Sequence, residues 1–183
     1  MTTLRGRRDV SVMARQVVGA EEEQFSAYFR THYNAIVRYV ERRVAQREDA
    51  AELVADVFRI AWQRFEPANS ASRAWLFQVA HNVVLDHYRR HGRQRALIAR
   101  VADEAATQPL PVPVEPDHPV LLALEHLDEP AREILRLRYW EELSVAEIAT
   151  VLQLSSGAVR VRLHRARQQL KPILTTGPVR REP

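Results

Sequence analysis

Five prolines between positions 109 and 119, at Pro109, Pro111, Pro113, Pro116 and Pro119, divide this 183-residue chain in two. Proline fixes φ and lacks a backbone N–H, so a run that alternates it with other residues ends a helix and favours extended polyproline backbone. The segment 99–118 is also acidic, with four acidic residues against one basic. It reads as a linker that reaches ~60–70 Å when extended. On both sides of it apolar residues recur at spacings of three and four, and the chain holds only five glycines for turns and loops. The expected fold class is all-α: two small helical domains joined by a Pro-rich acidic linker, the second ending in a helix-turn-helix. The expected boundaries are a flexible basic tail over 1–20, a helical domain over 21–98, the linker over 99–118, a second helical domain over 119–172 and a C-terminal tail over 173–183.

Composition removes several classes of function. With no cysteine there is no disulfide framework, no thiolate-bound zinc and no thiol nucleophile. Apolar runs such as Val120–Leu124 fall far short of the ~20 residues a membrane helix needs, so no membrane insertion is expected. Lys171 is the only lysine among 27 basic residues. Arginine forks suit phosphate oxygens, but codon bias would also produce arginine, so the placement of the arginines matters more than their number.

In the first domain Phe25, Phe29, Ile36, Val37, Val40 and Val44 form one apolar stripe over 22–45. Asp49 followed by Glu52 reads as a capping box opening a second helix, whose apolar face is Leu53, Val57, Phe58, Ala61 and Phe65. A turn-rich break follows at 66–71. A third helix starts near Ser72, carries Trp75, Leu76, Val79, Val83 and Tyr88, and is expected to stop among Arg89, Arg90, His91, Gly92 and Arg93. A short fourth helix is expected over 94–101. The third helix mixes arginines (Arg73, Arg89, Arg90) with aromatic and amide groups (Trp75, Phe77, Asn82). Aromatic faces stack on unpaired bases while arginines follow the phosphates; the competing reading places Trp75 and Phe77 in the core. Asp49, Glu52 and Asp56 share a face that is either solvated or a docking surface.

The second domain opens with Pro119 in the first turn of a helix through Leu127. Asp128 caps a helix carrying Ile134, Leu135 and Tyr139. Ser144 and Glu147 form a capping box before a helix over 145–152, and Gln153-Leu154-Ser155 leads to a last helix over 156–170. Two helices around so short a turn fit a helix-turn-helix. On the last helix Val159, Leu163, Ala166 and Leu170 line one side. The other side collects Gly157, Val161, His164, Arg165 and Gln168, with Arg160 at its edge and Arg162 and Arg167 nearer the flanks. Such a face fits the major groove: arginine pairs with guanine, glutamine with adenine, and valine touches a thymine methyl. The flanking arginines suit phosphates. The competing reading is an α-hairpin with a solvated basic face.

Catalytic and metal readings are weak. His87 and His91 stand four apart on one helix, as zinc ligands do, but no glutamate follows His87 as in HExxH, and Arg89 and Arg90 intervene. His32, His81 and Asp86 have no paired nucleophile, and there is no phosphate-binding glycine loop. No catalytic residue, no metal, no cofactor and no small-molecule substrate are expected.

Three stretches carry a family resemblance. Asp49-Ala-Ala-Glu-Leu-Val-Ala-Asp-Val-Phe-Arg-Ile-Ala-Trp62 resembles the helix by which bacterial sigma factors bind core RNA polymerase. Ser72-Arg-Ala-Trp-Leu-Phe-Gln-Val-Ala-His-Asn-Val-Val-Leu-Asp-His-Tyr-Arg-Arg90 resembles their adjoining promoter-melting helix. Leu127 through Leu170, with Ser144-Val-Ala-Glu-Ile-Ala and Gly157-Ala-Val-Arg-Val-Arg-Leu-His-Arg-Ala-Arg167, resembles their −35-reading domain. Two domains with a short linker match the extracytoplasmic-function group of the sigma-70 family, and the similarity covers about 22–172.

The resemblance implies a cytoplasmic, non-enzymatic initiation factor that directs core polymerase to promoters and assists −10 opening. It implies core-polymerase contacts at Asp49, Leu53, Val54, Asp56, Phe58 and Trp62, with Ala55 standing where the family usually has glutamine. It implies single-stranded −10 contacts at Asn69, Ser70, Arg73, Trp75, Asn82, Asp86, Arg89 and Arg90. Duplex −35 contacts fall at Gly157, Arg160, Val161, Arg162, His164, Arg165 and Gln168. An anti-sigma protein is a usual partner in this family. The alternative is a helix-turn-helix regulator that binds duplex DNA without polymerase.

Overall fold

The computed structural model describes the backbone of residues 5–66, 72–102 and 119–176, and the side chains of 19–66, 72–92 and 120–175. Every regular element among them is a helix: α1 (Arg5–Glu41), α2 (Arg47–Gln63), α3 (Arg73–Ala102), α4 (Pro119–Glu125), α5 (Glu129–Tyr139), α6 (Val145–Leu152) and α7 (Ser156–Thr176). The all-α expectation holds. The first three helices pack on one another around Ile36, Val57, Ala61, Leu76, Phe77 and Ala80, all wholly buried. The last four enclose a second core of Ala123, Ile134, Leu137, Leu143, Ile148 and Val159.

Local signals explain most helix ends. The Asp128 carboxylate accepts from the Ala131 N–H at 2.9 Å at the start of α5. Ser144 and Glu147 close a reciprocal capping box on α6, at 2.8 and 3.2 Å. Ser72 Oγ accepts from the Trp75 N–H at 3.2 Å and caps α3. Such caps each contribute about 1 kcal/mol.

Four expectations are corrected. Asp49 and Glu52 do not form a capping box: Gln46 is the N-cap without a side-chain bond, and Asp49 lies inside the first turn, where the positive end of the helix dipole favours a carboxylate. The basic stretch expected as a flexible tail is helical from Arg5, because adding residues to a formed helix avoids the cost of a new nucleus. Gly92 does not stop α3, and no separate helix over 94–101 exists; one glycine costs ~1 kcal/mol against alanine, while the Arg, Gln, Ala and Leu residues after it favour helix. The last helix passes Leu170 and Pro172 to reach Thr176. The linker positions 103–118 lie outside the described residues.

Candidate nucleic-acid interface

The turn between α6 and α7 has no glycine, and Gln153 takes the left-handed conformation in its place, with φ 53°. The Leu154 N–H returns to the Ala149 carbonyl at 2.9 Å, and Ser155 Oγ accepts from the Ala158 N–H at 3.1 Å. This seats α7 across α6 with Val159, Leu163 and Ala166 buried. Gly157, Arg160, Val161, Arg162, His164, Arg165 and Gln168 are all exposed. Val161 is 50% exposed, an apolar side chain that the domain's own packing leaves in water.

On α3, Asn82, Asp86, Arg89 and Arg90 are likewise exposed. Asp86 holds both arginine heads, with Arg90 Nη2 at 3.2 Å and Arg89 Nη1 at 3.8 Å. Trp75 is half-buried, whereas Phe77 is wholly buried, so the core reading is right for Phe77. Arg73 stands apart from the other arginines: its guanidinium lies over the Phe77 ring and donates to the Glu141 carbonyl of the loop after α5. Asn69 and Ser70 lie outside the described residues.

The expected polymerase-binding set divides in two. Leu53, Val54 and Phe58 are buried, so they hold α2 in place rather than offering a surface; hydrophobic residues at this spacing served the core first. Asp49 and Asp56 are half-buried, and Asp56 takes Arg59 at 2.9 Å. Trp62 is 44% exposed, edge-on to Phe25 at 4.9 Å. Sequence reasoning missed Tyr33 of α1, which is 41% exposed and rests against Phe29 and Phe58. It lies four residues beyond Phe29 and eight beyond Phe25, so it continues their row. Tyr33 and Trp62 form an exposed aromatic edge along α1 and α2.

Two family models match this chain: sigma-70 region 2 over residues 28–94 and sigma-70 region 4 over residues 118–170. The ECF RNA polymerase sigma factor SigL of Mycobacterium tuberculosis is 31% identical over 83% of this chain and 89% of its own. The chain belongs to the ECF sigma factors of the sigma-70 family. The probable RNA polymerase sigma factor RfaY of Xanthomonas campestris is 36% identical over 75% of this chain, which spans only 36% of that relative's length. The solved structure of CnrH in complex with the cytosolic domain of CnrY aligns with a TM-score of 0.61 at 28% identity, covering 90% of this chain and 96% of that one. Among the described residues no helix is long and apolar enough to cross a membrane.

In this sigma factor the region 2 and region 4 units pack together, chiefly α3 against α6. The seam is built from charge. Arg43, at the end of α1, is buried and makes a two-pronged contact with Glu133 of α5, at 2.9 and 3.2 Å. Its Nη1 also donates to Glu141 at 3.1 Å and to the Tyr39 carbonyl at 2.8 Å. Arg42 reaches Glu141 at 3.3 Å. The Tyr39 hydroxyl donates to Glu133 at 3.2 Å, and His81 Nδ1 lies 3.5 Å from the same oxygen. Burial alone would raise the Glu133 pKa; the Arg43 charge and the bonds from His81 and Arg43 outweigh it and hold the group down at about 2. Glu141 reaches the seam because Glu142 adopts a left-handed φ of 54°, which folds the loop after α5 back toward α1. Beside this network lies a cavity of about 730 Å³, walled by Val84, Leu85, Tyr88 and Leu152 and rimmed by Arg132, Arg136 and Arg162. Sequence reasoning assigned no role to Arg43, Glu133 or Glu141; their meeting depends on the placement of two separate units.

Proposed function

We propose that this chain directs core RNA polymerase to promoters and assists opening of the −10 element. Region 4 reads the −35 duplex through α7, and region 2 holds the melted strand along α3. The observation that carries the reading is the outward row Arg160, Val161, His164, Arg165 and Gln168, on a helix whose opposite face is buried. In the major groove arginine and glutamine pair bidentately with guanine and adenine. Arg162 flanks the row for a phosphate. On region 2, Asn82, Asp86, Arg89, Arg90 and Trp75 combine amide, charge and stacking surface for unpaired bases. Polymerase docking falls to Asp49, Asp56 and Trp62 with Tyr33 beside them. The factor contributes no catalytic residue and works in the cytoplasm, with the polymerase and the DNA.

The closed seam belongs to a state off the promoter. Helices in contact lie ~8–10 Å apart, and α6 touches both α3 and α7, so the axes of α3 and α7 pass within ~20 Å of each other beside α6. Elements at −35 and −10 are nominally ~25 base pairs apart, roughly 85 Å at ~3.4 Å per pair. Region 4 therefore leaves region 2 when both elements are held, and Arg73 is then released from Glu141 toward the DNA. A regulator that keeps the units together would keep the factor inactive. CnrH was solved with the cytosolic domain of another protein, which supports an anti-sigma partner here.

The test is transcription by purified core polymerase with and without this chain on a library of promoter fragments. Co-migration with core and initiation that depends on both upstream elements are expected. Tight duplex binding by the chain alone, with no association with core, would establish the helix-turn-helix regulator instead.

A further inference from the structure

His87 and His91 lack the glutamate of an HExxH motif and have Arg89 and Arg90 between them, so the local sequence argues weakly for a metal. The fold supplies a third ligand from another helix. Asp49, in the first turn of α2, brings Oδ2 to 3.7 Å from His87 Nε2 on α3. The His87 and His91 rings stand one turn apart with centroids 4.1 Å apart. One potential ligand atom from each of the three residues lies within 4.8 Å of the others. Tetrahedral zinc with bonds of ~2.0–2.1 Å spaces its ligands ~3.3–3.4 Å apart, so small side-chain rotations close the set.

The protonation state of His91 also fits. His91 Nδ1 lies 3.0 Å from the His87 carbonyl oxygen, which only accepts, so Nδ1 carries the proton and Nε2 keeps its lone pair. A histidine held by its second nitrogen to a carbonyl is the usual arrangement behind a metal ligand, because it fixes ring orientation and tautomer. Around the pair, Asp49 and Glu52 bring negative charge from α2, and Arg90 is paired with Asp86 at 3.2 Å. All three residues are half-buried, open enough for an ion to enter.

We infer that Asp49, His87 and His91 form a site for a divalent transition ion of the zinc class, bound by three protein ligands and water. The two imidazole nitrogens select Zn²⁺, Co²⁺ or Ni²⁺ over Mg²⁺ and Ca²⁺, which prefer oxygen ligands throughout. An ion there ties the N-terminus of α2 to the far half of α3. The site shares Asp49 with the docking surface proposed above, but its test uses neither polymerase nor DNA, so the two readings fail separately.

The experiment uses the full, tag-free chain stripped with chelator and titrated with Co²⁺ and Zn²⁺, beside His91→Ala and His87→Gln. One equivalent of Co²⁺ should give the intense visible bands of a four-coordinate site, displaced by Zn²⁺. Each variant should bind at least ~10-fold more weakly, since loss of a direct ligand costs no less than loss of its outer support. Zn²⁺ should raise the melting temperature of the parent chain and leave that of His91→Ala unchanged. Circular dichroism of the metal-free variants checks that they fold, and His91→Ala, at the more open end of the site, serves if His87→Gln does not. Equal Co²⁺ spectra and affinities in the parent and in folded His91→Ala would overturn the site, as would a parent chain that binds no Co²⁺ at micromolar concentration. The remaining histidines are present in every variant, so binding by them cannot imitate the expected result.

Discussion

The inside of each region and the seam between the regions are held by opposite chemistry. Region 2 closes over aromatic and aliphatic side chains: Phe77 lies edge-on to Tyr39 at 5.4 Å, and Phe58 edge-on to Phe29 at 4.5 Å. The seam closes over two carboxylates and two arginines that share one buried network. Apolar burial is non-directional and contributes ~25 cal/mol per Å². A buried ion pair, by contrast, recovers little beyond the cost of desolvating its members and fails sharply when one member is removed. The regions are thus built to persist, whereas the seam depends on a few buried charges that fail together when one is lost.

The largest effect should come from the inside of region 2. Phe77→Ala, at a wholly buried position, should cost ~3–5 kcal/mol and shift the cooperative melting of that region, as read by chemical denaturation. An unchanged midpoint would break the distinction at its stronger side. Next is Glu133→Ala, which removes the two-pronged partner of buried Arg43 and leaves it with Glu141 as its one carboxylate. Removing one partner of a buried pair costs ~3–5 kcal/mol, here charged to closure rather than to folding. Small-angle scattering should show the chain expanding while helical content and the melting of each region hold. Arg43→Met with Glu133→Leu should stay closed, because matched apolar replacements of buried pairs are near neutral.

Acid sharpens the same contrast. The carboxyl of Glu133 has a lower pKa when the seam is closed than its ordinary 4.5, so it favours closure above that value. That contribution is lost as pH falls from about 4.5 toward about 2, and scattering should follow the loss. Glu133→Gln should lack the step. The smallest effects on stability belong to the exposed faces. Trp62→Ala and Arg160→Ala should each change stability by less than ~1 kcal/mol. Arg160→Ala should nevertheless weaken −35-dependent initiation ~5–150-fold, the ~1–3 kcal/mol of a lost bidentate base contact. Trp62→Ala should weaken association with core polymerase and leave duplex binding alone.

The contrast also explains what was legible in the sequence. Period and caps gave the helices, because these are local: Ser144 and Glu147 meet across one turn whatever the rest of the chain does. The outward face of α7 was legible for the same reason. Leu53, Val54 and Phe58 were placed on a docking surface because a family motif does not separate residues that hold a helix from those it presents; burial does. Gly92 misled because a stop signal is a modest penalty that the neighbouring residues outweigh. The meeting of Arg43 with Glu133 and Glu141 was illegible because 90 and 98 positions separate it from them and they belong to units whose mutual placement no local rule sets. The His87–His91 pair was visible, but the approach of Asp49 to it from α2 was not, for the same reason.

The central claim is that this sigma factor is closed when free and opens on core polymerase to hold two separated promoter elements. The chain has no cysteine, so Asn34→Cys on region 2 and Gln169→Cys on region 4 accept a pair of distance labels without background. The account predicts one defined distance in the free chain, lengthened by several tens of ångströms in the complex with core and promoter. The same distance in a complex that initiates transcription would contradict it.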